Sequence, residues 1–121
     1  MGMPVLVVDD SALSRKLVIR ALPPSWEIDI TQASNGLEAL EACRQNKAHV
    51  MFLDLTMPEL DGIGVLRTLR EERLKSMVIV ISADIQPESQ KLVDSLGAIA
   101  FINKPLDPEK LQHVLKENGL I

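Results

Sequence analysis

The chain has 121 residues, one domain's worth, and a domain of that size buries roughly two-thirds of its unfolded surface without a disulfide or metal to staple it. Hydrophobic residues make up 46% and charged residues 25%, the balance of a folded globular protein and not of a disordered one. A net charge of −4, with two Phe, one Trp and no Tyr, argues against a phosphate-backbone-binding surface and against base-stacking platforms, so nucleic acid is not an expected partner.

The first apolar run, residues 5–8, stops at Asp9-Asp10. Ser11 then stands where it can cap a helix. Leu13, Leu17, Ala21 and Leu22 share one face of that helix, and Pro23-Pro24 ends it. The second run, residues 28–33, alternates Ile28 and Ile30 with Asp29 and Thr31, as an edge strand does, and closes on the turn Ser34-Asn35-Gly36. Leu37, Leu40 and Cys43 mark the next helix. The third run, residues 50–53, ends at Asp54, and Ile63, Leu66 and Leu69 follow at helical spacing. The fourth run, 77–81, ends at Ser82 and leads to Ser89, Leu92, Val93 and Leu96 on one face, with Gly97 as a helix stop. The fifth run, 98–102, leads to Lys104-Pro105. Asp107-Pro108 then supplies a cap and a first-turn Pro for a last helix carrying Leu111, Val114 and Leu115.

Five consecutive β-α units with strands rich in β-branched residues predict a parallel sheet covered by helices on both faces. No linker, repeat or low-complexity stretch interrupts them, so residues 1–121 are expected to form one domain. A lone Cys43 rules out an internal disulfide and a multi-cysteine metal site, and reads as a small buried hydrophobe. There is no basic, apolar leader, and no apolar run approaches a bilayer span. Met1-Gly2 lacks the Ser or Thr that myristoylation wants at position 6, where Leu6 stands; Met3 is read as the natural start. A cytoplasmic, soluble protein is expected.

In an open parallel sheet, ligands sit beyond the carboxyl ends of the strands where the strand order reverses. Four of the five runs deliver polar groups to that rim: Asp9-Asp10, Asp54, Ser82 and Lys104. Singly, each has a plain structural use. Asp9-Asp10 can cap a helix, Asp54 can sit in a turn, Ser82 can satisfy local backbone, and Lys104 can be a solvated charge. Together they are harder to explain away, because three carboxylates in one crevice repel one another unless a cation lies among them. All-oxygen donors suit a hard divalent ion, Mg²⁺ above all, and an ammonium and a hydroxyl complete a cradle for a phosphoryl group moving onto an aspartate.

The segments VLVVDDS, FLDLTMPELDG, VIVISAD and FINKP, in that order, resemble the receiver domain of two-component response regulators, especially the single-domain chemotaxis type. The resemblance covers essentially the whole chain. It implies a flavodoxin-like (βα)5 fold of strand order 2-1-3-4-5 and a switch driven by phosphorylation, not an enzyme acting on an external substrate. It also implies roles for individual residues. Asp54 would accept the phosphoryl group; Asp10 would bind Mg²⁺ directly, Asp9 through water, and Thr56 through its backbone carbonyl. Ser82 and Lys104 would contact the phosphoryl oxygens, and Lys104-Pro105 would be a cis peptide. Phe101 would be the switch aromatic, turning inward as Ser82 moves and repacking the face of the fourth helix, fifth strand and fifth helix. Thr56 and Asp84 would tune the lifetime of the phosphoryl group, although Asp84 serves equally well as a cap for the helix near Pro87. The partners implied are a histidine kinase or phosphotransfer protein and a downstream protein target.

The other polar candidates carry less. His49 and His113 lack a neighbouring ligand, Glu71-Glu72-Arg73 reads as a solvated helix end, and Arg15-Lys16 as a surface charge pair that could instead help dock a kinase. A phosphohydrolase working through phosphoaspartate would want a second acid two residues after Asp54, where Thr56 stands. A non-phosphorylatable interaction module is opposed by the complete set of rim residues. A receiver portion of a longer regulator, for example one joined to a chemotaxis phosphatase-like module, would give the same sequence.

Overall fold

A computed structural model describes residues 2–121. Five strands alternate with five helices: β1 (Met3–Val8), α1 (Ala12–Ala21), β2 (Ile28–Ala33), α2 (Gly36–Arg44), β3 (Val50–Leu53), α3 (Gly62–Glu71), β4 (Met77–Ser82), α4 (Pro87–Ser95), β5 (Ala100–Asn103) and α5 (Pro108–Glu117). All pairings are parallel, in the order β2-β1-β3-β4-β5, the flavodoxin-like arrangement. The polar second strand does lie at an edge.

The pleat sorts each strand between two cores. Leu6, Val8, Met51, Leu53, Val78 and Val80 face α2, α3 and α4. Val5, Val7, Val50, Phe52, Ile79, Ile81 and Ile102 face α1 and α5. Central strands buried on both faces explain why their sequences show no alternation. Cys43 is buried in the first core, and burial pushes its thiol up to about 11.

Side chains start most helices. Ser11, Asn35, Asp61 and Asp107 accept backbone N–H bonds from Ser14, Glu38, Gly64 and Glu109 at the starts of α1, α2, α3 and α5. Asn35 thus does more than turn the chain. Gly97, with φ +99°, takes the left-handed conformation that follows the end of α4. No helix among the described residues is long and apolar enough to cross a membrane.

Several expectations are corrected. On α1 the buried stripe runs through Val18, Ala21 and Leu22, while Leu13 and Leu17 are 66% and 49% exposed. An i, i+4 pair fits either of two adjoining stripes, and the helix is rotated toward the one that meets α5. Leu37 is likewise exposed, whereas Ser89 is half-buried. The fifth strand begins at Ala100 and not at position 98: Ala98 and Ile99 belong to the turn after Gly97, where their N–H groups bond to Val93 and Val78. Glu72, at the expected solvated helix end, is exposed but paired, receiving two hydrogen bonds from Arg44 at 3.0 and 2.7 Å.

Candidate functional site

Three residues of the rim continue the sheet's hydrogen-bond ladder beyond its last strand residues. Asp9 N–H donates to Ala33 O at 3.1 Å, Asp54 N–H to Val8 O at 3.0 Å, and Lys104 N–H to Ser82 O at 2.9 Å. Their backbones are therefore placed by the sheet and not by mobile loops. Among the described residues, Asp9, Asp54 and Ser82 are the buried polar side chains, at 4%, 7% and 1% exposure, and Asp10 is exposed beside them.

The side chains converge as their strand-end positions require. Lys104 Nζ donates to Asp9 Oδ2 at 2.9 Å and lies 3.6 Å from Asp54 Oδ1. Asp9 Oδ1 also accepts Ser11 N–H at 2.9 Å. One carboxylate oxygen from each of Asp9, Asp10 and Asp54 falls within 4.8 Å of the other two. That donor set fits a hard divalent ion, which takes oxygen ligands and keeps water in its remaining positions. It is the one such group among the described residues; His49 and His113 belong to none, and His113 contacts Glu117 instead.

One ammonium does not compensate three carboxylates. Burial holds the Asp54 carboxyl above its ordinary range. Lys104 opposes this, and the charges of Asp9 and Asp10 reinforce it. Burial also works against the charge on Lys104, but the Asp9 hydrogen bond and the charges of Asp54 and Asp9 prevail and hold it above the usual lysine range.

The remaining candidates border this cluster. Ser82 Oγ accepts Asp84 N–H at 3.1 Å, which ties the hydroxyl to the β4–α4 loop. Asp84 caps no backbone N–H of α4, whose N-cap is Gln86, and instead braces the loop before it. Oδ1 accepts Gln86 N–H at 2.9 Å and Oδ2 accepts the Ser89 hydroxyl, so the carboxyl is held below its ordinary range, Ser89 contributing most. Gln86 itself provides no side-chain cap for α4. Thr56 is exposed in the loop after β3. Phe101 is half-buried against the α2–α4 core and borders a groove of about 190 Å³ with Gln90, Val93, Asp94, Ala98 and Ala100. The Lys104-Pro105 peptide is cis.

Two contributors escape a reading of the sequence. Gly62 lets α3 start against the end of β3, for a Cβ there would stand 2.5 Å from Asp54 O and 2.8 Å from Leu55 Cα. The signal was the glycine closing FLDLTMPELDG, one residue beyond the cap Asp61. Arg15, expected as a surface charge, is half-buried and turned inward: Nη1 donates to Asp9 O at 2.7 Å and Nε to Gln32 Oε1 at 2.9 Å. Lys16 is exposed, as expected.

A doubly wound sheet whose rim gathers three carboxylates, a hydroxyl and an ammonium defines a class of signalling domain, and the chain belongs to it. The sequence model of the response regulator receiver domain matches residues 5–116. The chain is 41% identical over 104 residues to a protein-glutamate methylesterase/protein-glutamine glutaminase of Myxococcus xanthus, covering 84% of this chain and 30% of that protein. It is 31% identical to the chemotaxis protein CheY of Thermotoga maritima, covering 97% and 98%. A solved response regulator receiver protein from Pseudomonas putida superposes with a TM-score of 0.82 at 33% identity, covering 97% and 98%. The response regulator domain of Thermotoga maritima CheB gives 0.80 at 28%, covering 96% of each chain. The chain spans 25% to 30% of the first three curated relatives it matches. This is a receiver domain of two-component signalling, a family that works with histidine kinases or phosphotransfer proteins.

Proposed function

We propose that Asp54 accepts a phosphoryl group from a phosphohistidine on a partner kinase or phosphotransfer protein, in a Mg²⁺-dependent reaction, and that the phosphorylated domain engages a downstream protein. The observation that carries this is the convergence of Lys104 Nζ on Asp9 and Asp54, with Asp10 completing the acidic triad. Mg²⁺ held by Asp9, Asp10, Asp54 and the Thr56 carbonyl would supply positive charge to the carboxylates and to the incoming phosphoryl oxygens. An oxygen of Asp54 attacks phosphorus, the P–N bond of the phosphohistidine breaks, and the electron pair leaves with the imidazole. Lys104 and the Ser82 hydroxyl bind the equatorial oxygens.

The Ser82 hydroxyl can donate to a phosphoryl oxygen while still accepting Asp84 N–H, so its movement toward Asp54 would draw the residue bonded to it along. That pulls the β4–α4 loop toward Asp54 and opens space behind it for Phe101, which already lies beside a groove on the α4 side. Repacking of α4, β5 and α5 would follow as a shift between two states. Thr56 and Asp84, on the two loops that flank Asp54, would set how water reaches the phosphoaspartate. The domain catalyses its own phosphotransfer and dephosphorylation and acts on no external substrate. A cytoplasmic location goes with such a role.

Relatives matched at 30% of their length and at 98% favour two output arrangements, a receiver portion of a longer regulator and a separate switch. Both use the same chemistry at Asp54. Intact-mass analysis after incubation with acetyl phosphate, with Mg²⁺ or with EDTA, tests that chemistry. The wild type should gain one phosphoryl group with Mg²⁺ alone and Asp54→Asn none; no gain in the wild type would leave a non-phosphorylatable interaction module.

A further inference from the structure

Of the three acids, Asp10 is the least restrained by its own side chain. Asp9 is fixed at both carboxylate oxygens, by Ser11 N–H and Lys104, and Asp54 lies buried beside Lys104. No hydrogen bond holds the exposed Asp10 carboxylate among the described residues. Its direction is therefore set by the backbone from which it springs, and that backbone is held on both sides, the Asp10–Ser11 peptide by the Ser11 N–H bond to Asp9 Oδ1 and the Asp9–Asp10 peptide by Arg15. The Asp9 carbonyl belongs to the peptide plane joining Asp9 to Asp10, and Arg15 Nη1 donates to it at 2.7 Å. The guanidinium is braced in turn from the edge strand, because its Nε donates to Gln32 Oε1 at 2.9 Å. A planar fork with fixed donor directions suits this double attachment, which a single ammonium cannot reproduce.

We propose that Arg15, braced by Gln32, is a positioning residue for cation binding. It fixes the Asp9–Asp10 peptide plane so that the Asp10 carboxylate meets those of Asp9 and Asp54. The inference presupposes the Mg²⁺ site proposed above. It predicts an effect opposite in sign to simple electrostatics. A positive charge beside a cation site repels the cation, so removing a bystander arginine would tighten Mg²⁺ binding, whereas removing a positioning arginine loosens it.

Isothermal titration of the metal-free chain with Mg²⁺ separates the two. Arg15→Lys keeps the charge and loses the fork, Arg15→Met loses both, and Gln32→Leu leaves Arg15 in place without its brace. Each should weaken Mg²⁺ binding, the two Arg15 variants by about tenfold, as loss of a group orienting a metal ligand typically does. Thermal melts in EDTA confirm that each variant is folded. With acetyl phosphate, the Arg15→Lys protein should phosphorylate slowly at low Mg²⁺ and at the wild-type rate once Mg²⁺ saturates, a change in the Mg²⁺ requirement and not in maximal rate. An unchanged or tighter Mg²⁺ Kd in Arg15→Met, beside a wild type that binds, overturns the positioning role alone. A wild type that takes up no Mg²⁺ overturns the site and this inference together.

Discussion

Lys104 Nζ is hydrogen-bonded to Asp9 at 2.9 Å and stands 3.6 Å from Asp54, so the single ammonium of the site rests on the buried carboxylate that is not the expected acceptor. The charge of the buried Asp54 side chain is thereby only partly offset. Lys104 spans the pair from the end of β5, 95 residues away from Asp9 in sequence, and ties the far edge of the sheet to its centre.

Removing that ammonium should destabilise the metal-free fold. Lys104→Met is expected to lose about 2 kcal/mol in EDTA, the usual range for a hydrogen bond to a charged group. Urea denaturation with and without Mg²⁺ checks this: added Mg²⁺ should stabilise the variant more than the wild type, because a second cation replaces the missing one.

Asp54 works in the other direction. A carboxyl held above its ordinary range when folded binds its proton more tightly in the folded chain than in the unfolded one. Its contribution therefore favours the fold at low pH and is lost as pH rises through the raised value. Asp54→Asn should be more stable than the wild type at pH 7 in EDTA, by on the order of 1 kcal/mol, chiefly because a buried charge is removed and secondarily because repulsion by Asp9 and Asp10 is relieved, and the gap should close on acidification into the carboxylate range. Mg²⁺ should stabilise the wild type and scarcely affect the variant. Chemical denaturation across pH reads all three.

At Gly62, any side chain meets the Asp54 carbonyl at 2.5 Å. Gly62→Ala should destabilise by about 1–3 kcal/mol, the range for overpacking a tight contact. It should also slow phosphorylation by acetyl phosphate in the fraction that folds, since the backbone carrying Asp54 must shift. Comparing melting curves with initial rates distinguishes a lost fold from a misplaced acceptor.

Asp84 holds the start of α4 through Gln86 N–H and the Ser89 hydroxyl. Ser89→Ala and Asp84→Asn should each lower Tm by a few degrees by loosening this brace at the start of α4. Only exchange at Asp84 and Thr56 should change phosphoryl half-life severalfold. A half-life unaltered by exchanging both would remove the lifetime role and leave Asp84 a brace of the β4–α4 loop.

How far the sequence is legible follows from what each residue does. Strand ends could be read because parallel strands are continuous apolar runs, and a charge at their close stands out; hence Asp54, Ser82 and Lys104 appear at the rim where they were expected. Polar alternation in residues 28–33 marked an edge because one side of that strand has no neighbour. Helix rotation was less legible, since Leu13 and Leu17 fit an apolar stripe as well as Val18 and Ala21 do until α5 is in place. Residues 98–102 read as one run because hydrophobicity does not record the turn that Gly97 imposes on Ala98 and Ile99. Arg15 stayed hidden for a different reason. Its partners are a carbonyl and the side chain of Gln32, and neither leaves a mark in spacing or composition.

Hydride trapping reads out whether Asp54 itself carries the phosphoryl group. The protein is incubated with acetyl phosphate and Mg²⁺, reduced with borohydride, and mapped by peptide mass spectrometry. An acyl phosphate at Asp54 would be reduced to homoserine at that position alone, with no conversion in EDTA. Conversion at Asp9 or Asp10 instead, or none with Mg²⁺ present, would contradict the assignment.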